Sequence, residues 1–366
     1  MSAYEKVLRL GLEAVHLTGF DRFAARVLER RGVIFALHRV KPDDPREFAP
    51  NKLLEVTPEF LDETIKTVRA QGFEIVSMDD AVTRLHTGQG QRFACFTLDD
   101  AYRDNKDFAL PVFEKHNVPF TIYVPEHFAD GKGELWWVEL ELAVERQDVI
   151  SSKLLWPAGD LPCRTVTEKR AAFRSIYWRL RRMDEADTRR LVRQACTEAG
   201  VDVTRLCSEL IMNWDELRAL SQHPLATFGG HTVTHYALGK LPAAKAQMEI
   251  TQSKTRIEKE LGIECRHFCY PYGDAASADE REFAMTAAAG FTTAVTMRKG
   301  LLQSDHANQM LGLPRCSLNG DFQSQRYVEA LLSGAPFLLW NLLRGDRTLS
   351  KFRNPNRKLG NASVSQ

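Results

Sequence analysis

The chain of 366 residues contains no apolar run approaching the ~18 to 20 residues needed to cross a bilayer, which excludes a membrane-spanning helix. It has no excess of one charge either. The 49 basic and 48 acidic residues leave a net charge of +1, so the field of the whole chain gives no reason to expect nucleic acid as a partner. A cysteine framework is absent: the seven cysteines (Cys95, Cys163, Cys196, Cys207, Cys265, Cys269 and Cys316) are odd in number, scattered and mostly set in apolar runs, where thiols act as small hydrophobes. Cys265 and Cys269 resemble a metal pair in spacing, but in a strand they would stand about 13 Å apart on one face, and core packing accounts for them. No repeat or low-complexity tract is present. Residues 1–31 mix Leu8, Leu10, Leu12 and Val15 with Glu5, Lys6, Arg9 and Glu13, unlike the unbroken apolar stretch of a secretory signal. The expectation is a cytoplasmic protein in a reducing environment.

What the chain does contain is a succession of short β-rich apolar runs: Val33–Leu37, Phe73–Val76, Phe93–Leu98, Phe120–Val124, Ala226–Phe228, His267–Pro271, Phe291–Thr296 and Leu311–Ser317. Most are continuously apolar rather than alternating, as strands covered on both faces are, and helical intervals such as Pro58–Gln71 and Ala243–Leu261 supply crossovers. This predicts an α/β fold, a complete or distorted (β/α) barrel of seven or eight strands. The stretch from Val124 to Ala226 is too long for a barrel loop and carries helical patterns over Ala171–Arg182 and Ala186–Ala199. The expected layout is a helical segment over 1–31, a barrel over 32–318 with a helical insertion at about 130–215, a C-terminal helical segment over 319–345 and a disordered tail over 346–366. The insertion is placed to wall one side of the barrel mouth, with Trp136 and Trp137 in its core or, alternatively, as a sugar platform. Residues 327–358 combine an apolar helix with a basic tail, which fits either a helix packed on the barrel or peripheral contact with an anionic membrane.

The polar residues fall in a pattern. His38, Asp99, Asp100, His231, Tyr272 and Arg315 all stand at or just beyond the C-terminal ends of predicted strands, the rim that holds barrel active sites. His231 and His235 are four positions apart on one short turn, so two imidazoles can face one metal ion. A catalytic metal needs a further protein ligand and an open position, and the acidic pair Asp99-Asp100, with no basic neighbour in sequence, offers it. Gly229-Gly230 before His231 allows a close backbone approach. Each residue also has a plainer reading. Asp99 can cap the helix that follows it, His38 can be a hydrogen-bonded core histidine, Tyr270 and Tyr272 can be packing residues, and Arg315 can pair with Asp99 or form a surface salt bridge.

These residues resemble the polysaccharide deacetylases with the NodB-homology domain, carbohydrate esterase family 4. Thr97-Leu98-Asp99-Asp100-Ala101 looks like the family's Thr-Phe-Asp-Asp-Gly, His231-Thr232-Val233-Thr234-His235 matches its His-(Ser/Thr)-x-x-His, and Pro271-Tyr272-Gly273 matches its aromatic loop. Cys269 stands where many members have arginine, which is closer to the subgroup that reads Phe-x-Tyr-Pro-Tyr-Gly, and the later Leu-x-His motif has no counterpart because no histidine follows His306. The resemblance implies a NodB-type barrel, a divalent metal, commonly zinc, on Asp100, His231 and His235, and Asp99 as the base. It further implies oxyanion stabilisation by the Tyr272 backbone N–H and an N-acetylated carbohydrate as substrate. With the usual histidine missing, His38 is the candidate acid and His306 the second. The expected reaction is metal-dependent N-deacetylation of a polysaccharide, oligosaccharide or lipid-linked precursor; O-acetyl esterase, cyclic-amide hydrolase and non-catalytic carbohydrate binding are the alternatives.

Overall fold

The computed structural model describes Gly11, Glu13, residues 18–153 and residues 155–343. Most of residues 1–17 of the helical segment expected over 1–31, the tail over 346–366 and the basic part of the stretch considered for membrane contact lie outside the described residues.

All eight predicted strands form: β1 (Gly32–Leu37), β2 (Glu74–Ile75), β3 (Phe93–Leu98), β4 (Phe120–Val124), β5 (Ala226–Gly230), β6 (His267–Cys269), β7 (Thr293–Lys299) and β8 (Leu313–Ser317). Seven of them close a parallel barrel in the order β1-β3-β4-β5-β6-β7-β8, with β8 returning to β1 and β2 added to the N-terminal end of β3. The expected barrel is therefore the observed one, with seven strands in the ring. β5 runs two residues further than the apolar pattern indicated, because Gly229 and Gly230 continue the ladder with Tyr123 and Val124 of β4. Neither position has room for a side chain. A Cβ on Gly229 would stand 2.6 Å from the His267 carbonyl and the Tyr123 ring, and one on Gly230 would stand 2.9 Å from Ser253 Oγ.

The strands read as continuous apolar runs because both of their faces are buried. Inward, Ile34, Cys95, Tyr123, Cys269, Val295 and Leu313 fill the barrel, and Met78, Ala81 and Leu85 of the helix Met78–Thr87 extend this cluster. Outward, Val33, Phe35, Phe96, Leu98, Ile122 and Val124 meet the surrounding helices through residues such as Leu61, Ile65, Phe113 and Ile257. The helix Pro58–Ala70 starts on a Thr57 cap with proline in its first turn, and Ala243–Leu261 ends on Gly262 in the left-handed region.

Between β4 and β5 the chain builds the helices Trp136–Glu145, Val166–Leu180, Glu185–Glu198 and Trp214–Ser221, with a two-stranded ribbon joining Val149–Ile150 to Leu161–Pro162. After β8, the helix Gln325–Ser333 turns Tyr327, Val328, Ala330 and Leu332 inward and packs against Pro58–Ala70 and Phe20–Val27. Among the described residues, no helix is long and apolar enough to cross a membrane.

Candidate metal centre

The C-terminal ends of β3 and β5 bring the predicted ligands together. Asp100, His231 and His235 are all buried. Asp100 Oδ1 lies 3.5 Å from His231 Nε2 and 3.2 Å from His235 Nε2, and the three donor atoms fall within 4.8 Å of one another. Ligand bonds of about 2.0 to 2.2 Å at tetrahedral angles place donors about 3.3 to 3.5 Å apart, so the spacing fits a small divalent ion. The bonding pattern fits as well. His231 Nδ1 lies 2.6 Å from the Cys269 carbonyl and must donate to it, which leaves the Nε2 lone pair facing Asp100. Asp100 Oδ1 is buried without a hydrogen-bond partner among the described residues. A buried carboxylate oxygen facing two imidazole nitrogens needs a cation or a proton between them.

The electrostatics point to the same need for positive charge: burial lowers His231, but Cys269 and Asp100 outweigh it and raise the ring well above its ordinary value. Burial alone would raise Asp100, but the facing imidazoles outweigh it and hold the carboxyl well below the usual range. Burial lowers His235 more than Asp100 raises it, which keeps the ring neutral and able to ligate. A second cluster, Asp99, His231 and Cys269, is equally compact, but its groups are otherwise engaged: burial pushes the Cys269 thiol up and keeps it protonated, and Asp99 is held by Arg315.

Arg315 decides between two readings left open by the sequence. Its side chain is fully buried and points into the barrel from β8, donating from Nη1 to Asp99 Oδ1 at 2.8 Å and from Nη2 to Asp99 Oδ2 at 2.6 Å. The same guanidinium donates to Thr97 Oγ1 and the Thr296 carbonyl. Asp99 is thus neither a helix cap nor part of a surface pair. Burial would raise its pKa, and the Arg315 charge and hydrogen bonds reverse the direction and hold it ionised. His38 Nε2 stands 3.8 Å from Asp99 Oδ2, on a side chain that is 20% exposed, so it reaches both the site and solvent. His306 is not at this rim. It lies in the turn Ser304–Asn308, just after Leu302, which bridges to Gly32 at the start of β1, and so belongs to the opposite mouth of the barrel.

Five non-glycine residues of the site adopt positive φ: Asp100, Ala101, Thr232, His235 and Tyr272, at 55° to 71°. Such conformations cost about 1 to 2 kcal/mol each, so the surroundings must impose them. Glu249 does so for the histidine turn: its buried carboxylate accepts the N–H groups of Val233 and Thr234, both at 2.9 Å, and the Thr234 hydroxyl at 2.8 Å. Arg189 donates to the His235 carbonyl at 3.2 Å and lies over the Tyr236 ring. Neither was assigned from the sequence, although each left a signal: both are charged residues on the buried face of a helix, Glu249 beside Ala246, Ile250 and Ser253, and Arg189 beside Val192 and Cys196.

The insertion covers one side of the mouth. Trp136 Nε1 donates to Tyr272 Oη at 2.8 Å, Trp137 packs 5.2 Å from the His235 ring, and the Arg181 guanidinium lies 3.7 Å above the Tyr272 ring. Both tryptophans are buried, as core residues rather than an open platform, while also shaping the wall of the site. Tyr270 is buried, with its hydroxyl on Thr286 Oγ1 and the Leu311 carbonyl. The Tyr272 N–H donates to no carbonyl or side chain among the described residues.

A closed parallel barrel with two carboxylates and two imidazoles at its C-terminal rim defines a NodB-type (β/α) barrel protein. The sequence profile of the polysaccharide deacetylase family matches residues 186–294, which include both imidazoles and the Tyr272 turn. The match begins inside the helical insertion and does not reach Asp99-Asp100. Among solved structures, the chain is similar to the Streptococcus pyogenes deacetylase PplD in complex with acetate, at 17% identity and a TM-score of 0.54 over 84% of this chain and 99% of that one. It is also similar to IcaB from Ammonifex degensii, at 16% identity and a TM-score of 0.51 over 82% of this chain and 97% of that one. The polysaccharide deacetylase BC0361 from Bacillus cereus aligns at 14% identity and a TM-score of 0.51, over 83% of this chain and 69% of that one. Among curated proteins, none matches this chain. At these identities the likeness to solved structures is one of fold.

Proposed function

We propose that the chain is a metal-dependent deacetylase that hydrolyses the acetamido group of N-acetylated sugars. The observation that carries this reading is the buried Asp100–His231–His235 cluster beside an Asp99 carboxylate held ionised by Arg315. Asp100, His231 and His235 are the residues that would hold a divalent ion, with zinc the candidate. When bound, such an ion polarises the amide carbonyl and acidifies water to a pKa of about 7.

The remaining roles belong to the chain itself. Asp99, directly before the ligand Asp100 and fixed by two hydrogen bonds, accepts the proton of the attacking water. The free N–H of Tyr272 is the donor for the developing oxyanion, a type of contact worth about 3 to 4 kcal/mol elsewhere. An amine leaves poorly unless protonated, and His38, near Asp99 and open to solvent, is the group to deliver that proton. Acetate and a free amine result. Trp137, Phe128 and Tyr272 pack around His235, which keeps bulk water from one side of the centre.

The test is to strip the metal, add back zinc or cobalt, and assay acetate and amine from a panel of N-acetylhexosamine oligomers. Metal-restored release of both supports the proposal. Acetate without amine replaces it with an esterase, and no turnover from any metal-loaded sample rejects catalysis on these sugars.

A further inference from the structure

The neutral net charge of the chain conceals a strongly basic insertion. Residues 151–183 carry eight lysines and arginines against only Asp160 and Glu168, a local excess of +6 in a chain whose total is +1. Lys169 and Arg170 donate to backbone carbonyls, Arg179 reaches the Leu155 carbonyl, and Arg181 pairs with Asp274. Among the described residues, Arg174 and Arg182 form no ion pair.

Arg174, Trp178 and Arg182 are spaced by four along the helix Val166–Leu180 and its end, so they share one face. Trp178 is 54% exposed, an unusual state for so large an apolar ring. With Trp156, Ser175, Arg179, Arg182 and Met183 it forms a shallow, open cleft of about 350 Å³, and Arg174 stands beside that cleft, one turn before Trp178. The cleft shares no lining residue with the metal centre, and a line of packed side chains joins the two. Trp178 packs edge-on against Tyr177 at 5.4 Å, Tyr177 stacks on Trp136 at 5.1 Å, Trp136 donates to Tyr272, and Tyr272 packs against His235 at 5.1 Å. Cations in the last turn of a helix are favoured by its dipole, which accounts for Arg179, Arg181 and Arg182. It accounts neither for Arg174, two turns earlier, nor for the exposed indole.

We infer that this cleft binds an anionic portion of the substrate, so that the preferred substrate is an N-acetylated glycan carrying carboxylate or phosphate a few sugars from the acetamido group. The inference rests on the deacetylase reading. Trp178 supplies an apolar face for a sugar ring, and Arg174 and Arg182 supply the charge. A neutral glycan would fill the metal centre and leave the arginines unmatched.

The experiment compares three tetrasaccharides: neutral N-acetylglucosamine oligomer, the same oligomer bearing one phosphate monoester, and one alternating N-acetylglucosamine with glucuronate. Binding is read by calorimetry and turnover by acetate release, on wild type, Arg174→Gln/Arg182→Gln and Trp178→Ala. The inference expects at least one anionic tetramer to bind tenfold or more tightly than the neutral one, with an advantage that shrinks as salt is raised and collapses in the double variant. Which anionic tetramer gains distinguishes phosphate from carboxylate. Equal binding of all three, or a preference that survives the double variant, overturns the inference. Binding decides this independently of turnover: a salt-sensitive anionic preference with no acetate released would retain the cleft and reject the deacetylase reading.

Discussion

Arg315 on β8 and Asp99 at the end of β3 are joined by two parallel hydrogen bonds, at 2.8 and 2.6 Å, inside the barrel. Breaking a buried pair by removing one partner leaves an uncompensated charge and costs about 3 to 5 kcal/mol. The position that would bring an arginine from β6 is occupied by Cys269, whose sulfur lies 3.1 Å from Arg315 Nη2, so the guanidinium reaches the carboxylate from a different strand.

Asp99→Asn should remove turnover while leaving metal content near one ion per chain, checked by acetate release and elemental analysis. Arg315→Lys keeps a charge but cannot make the paired contact. It should lower kcat/KM by about 10- to 100-fold, through a loss of 1.4 to 2.7 kcal/mol, and move the acid limb of the pH–rate profile upward, because Arg315 holds Asp99 below its ordinary value. Residual full activity in Asp99→Asn, or an acid limb that moves downward in Arg315→Lys, would contradict the base assignment.

Glu249 is the support of the histidine turn. Glu249→Gln can keep the Val233 and Thr234 N–H groups on its one oxygen but turns an amide NH2 toward the Thr234 hydroxyl, which can no longer donate to it, and the bonds to a charged acceptor become neutral ones, at about 1 to 3 kcal/mol. Metal affinity should fall about 10- to 100-fold, as for other supports of ligands. Titration against a competing chelator measures it, and unchanged affinity would show that the turn holds its shape without this carboxylate.

Why some of this was legible in the sequence and some was not follows from how each residue acts. The strands could be read because a barrel strand buried on both faces must be apolar throughout, and the ligands because Asp100, His231 and His235 are chemically distinctive residue types at strand ends. The pairing of Arg315 with Asp99 crosses 216 residues, and no local pattern encodes it; Asp99 could be named as a partner for Arg315, but the sequence could not decide between that pair and a surface salt bridge. Glu249 and Arg189 act through backbone groups, whose positions exist only once the fold is formed. His306 was misplaced because spacing along the chain does not say which mouth of the barrel a loop serves.

Ala101 occupies the left-handed region at φ 55° and is fully buried. Glycine there relieves about 1 to 2 kcal/mol of strain, but it loses a buried methyl, about 0.8 kcal/mol, and gains freedom in the unfolded chain, about 0.4 to 1 kcal/mol. Ala101→Gly should therefore fold within about 1 kcal/mol of wild type and retain activity. Ala101→Val, which adds bulk in a well-packed site and β-branching at positive φ, should lose more than about 2 kcal/mol. Chemical denaturation of the two variants ranks them, and a Val variant as stable as wild type would show that this turn is not strained.

Glu216 ties the segment after the acidic pair to the end of the insertion. Its carboxylate accepts Arg103 Nε at 3.0 Å, Lys106 Nζ at 2.5 Å and the Asn213 N–H at 3.1 Å. Burial raises its pKa, but these donors outweigh burial and bring it down from 4.5 to about 2. The folded state therefore favours the ionised form, and the contribution is fully present above the unfolded value of 4.5 and lost as pH falls toward about 2. The side chain is 20% exposed, so solvent screens the network, and about 1 kcal/mol is the scale to expect. Glu216→Gln should melt below wild type at pH 7, and the gap should close between about pH 4.5 and pH 2. A gap that widens as the solution is acidified would mean that the carboxylate is stabilised more in the unfolded chain than in this network.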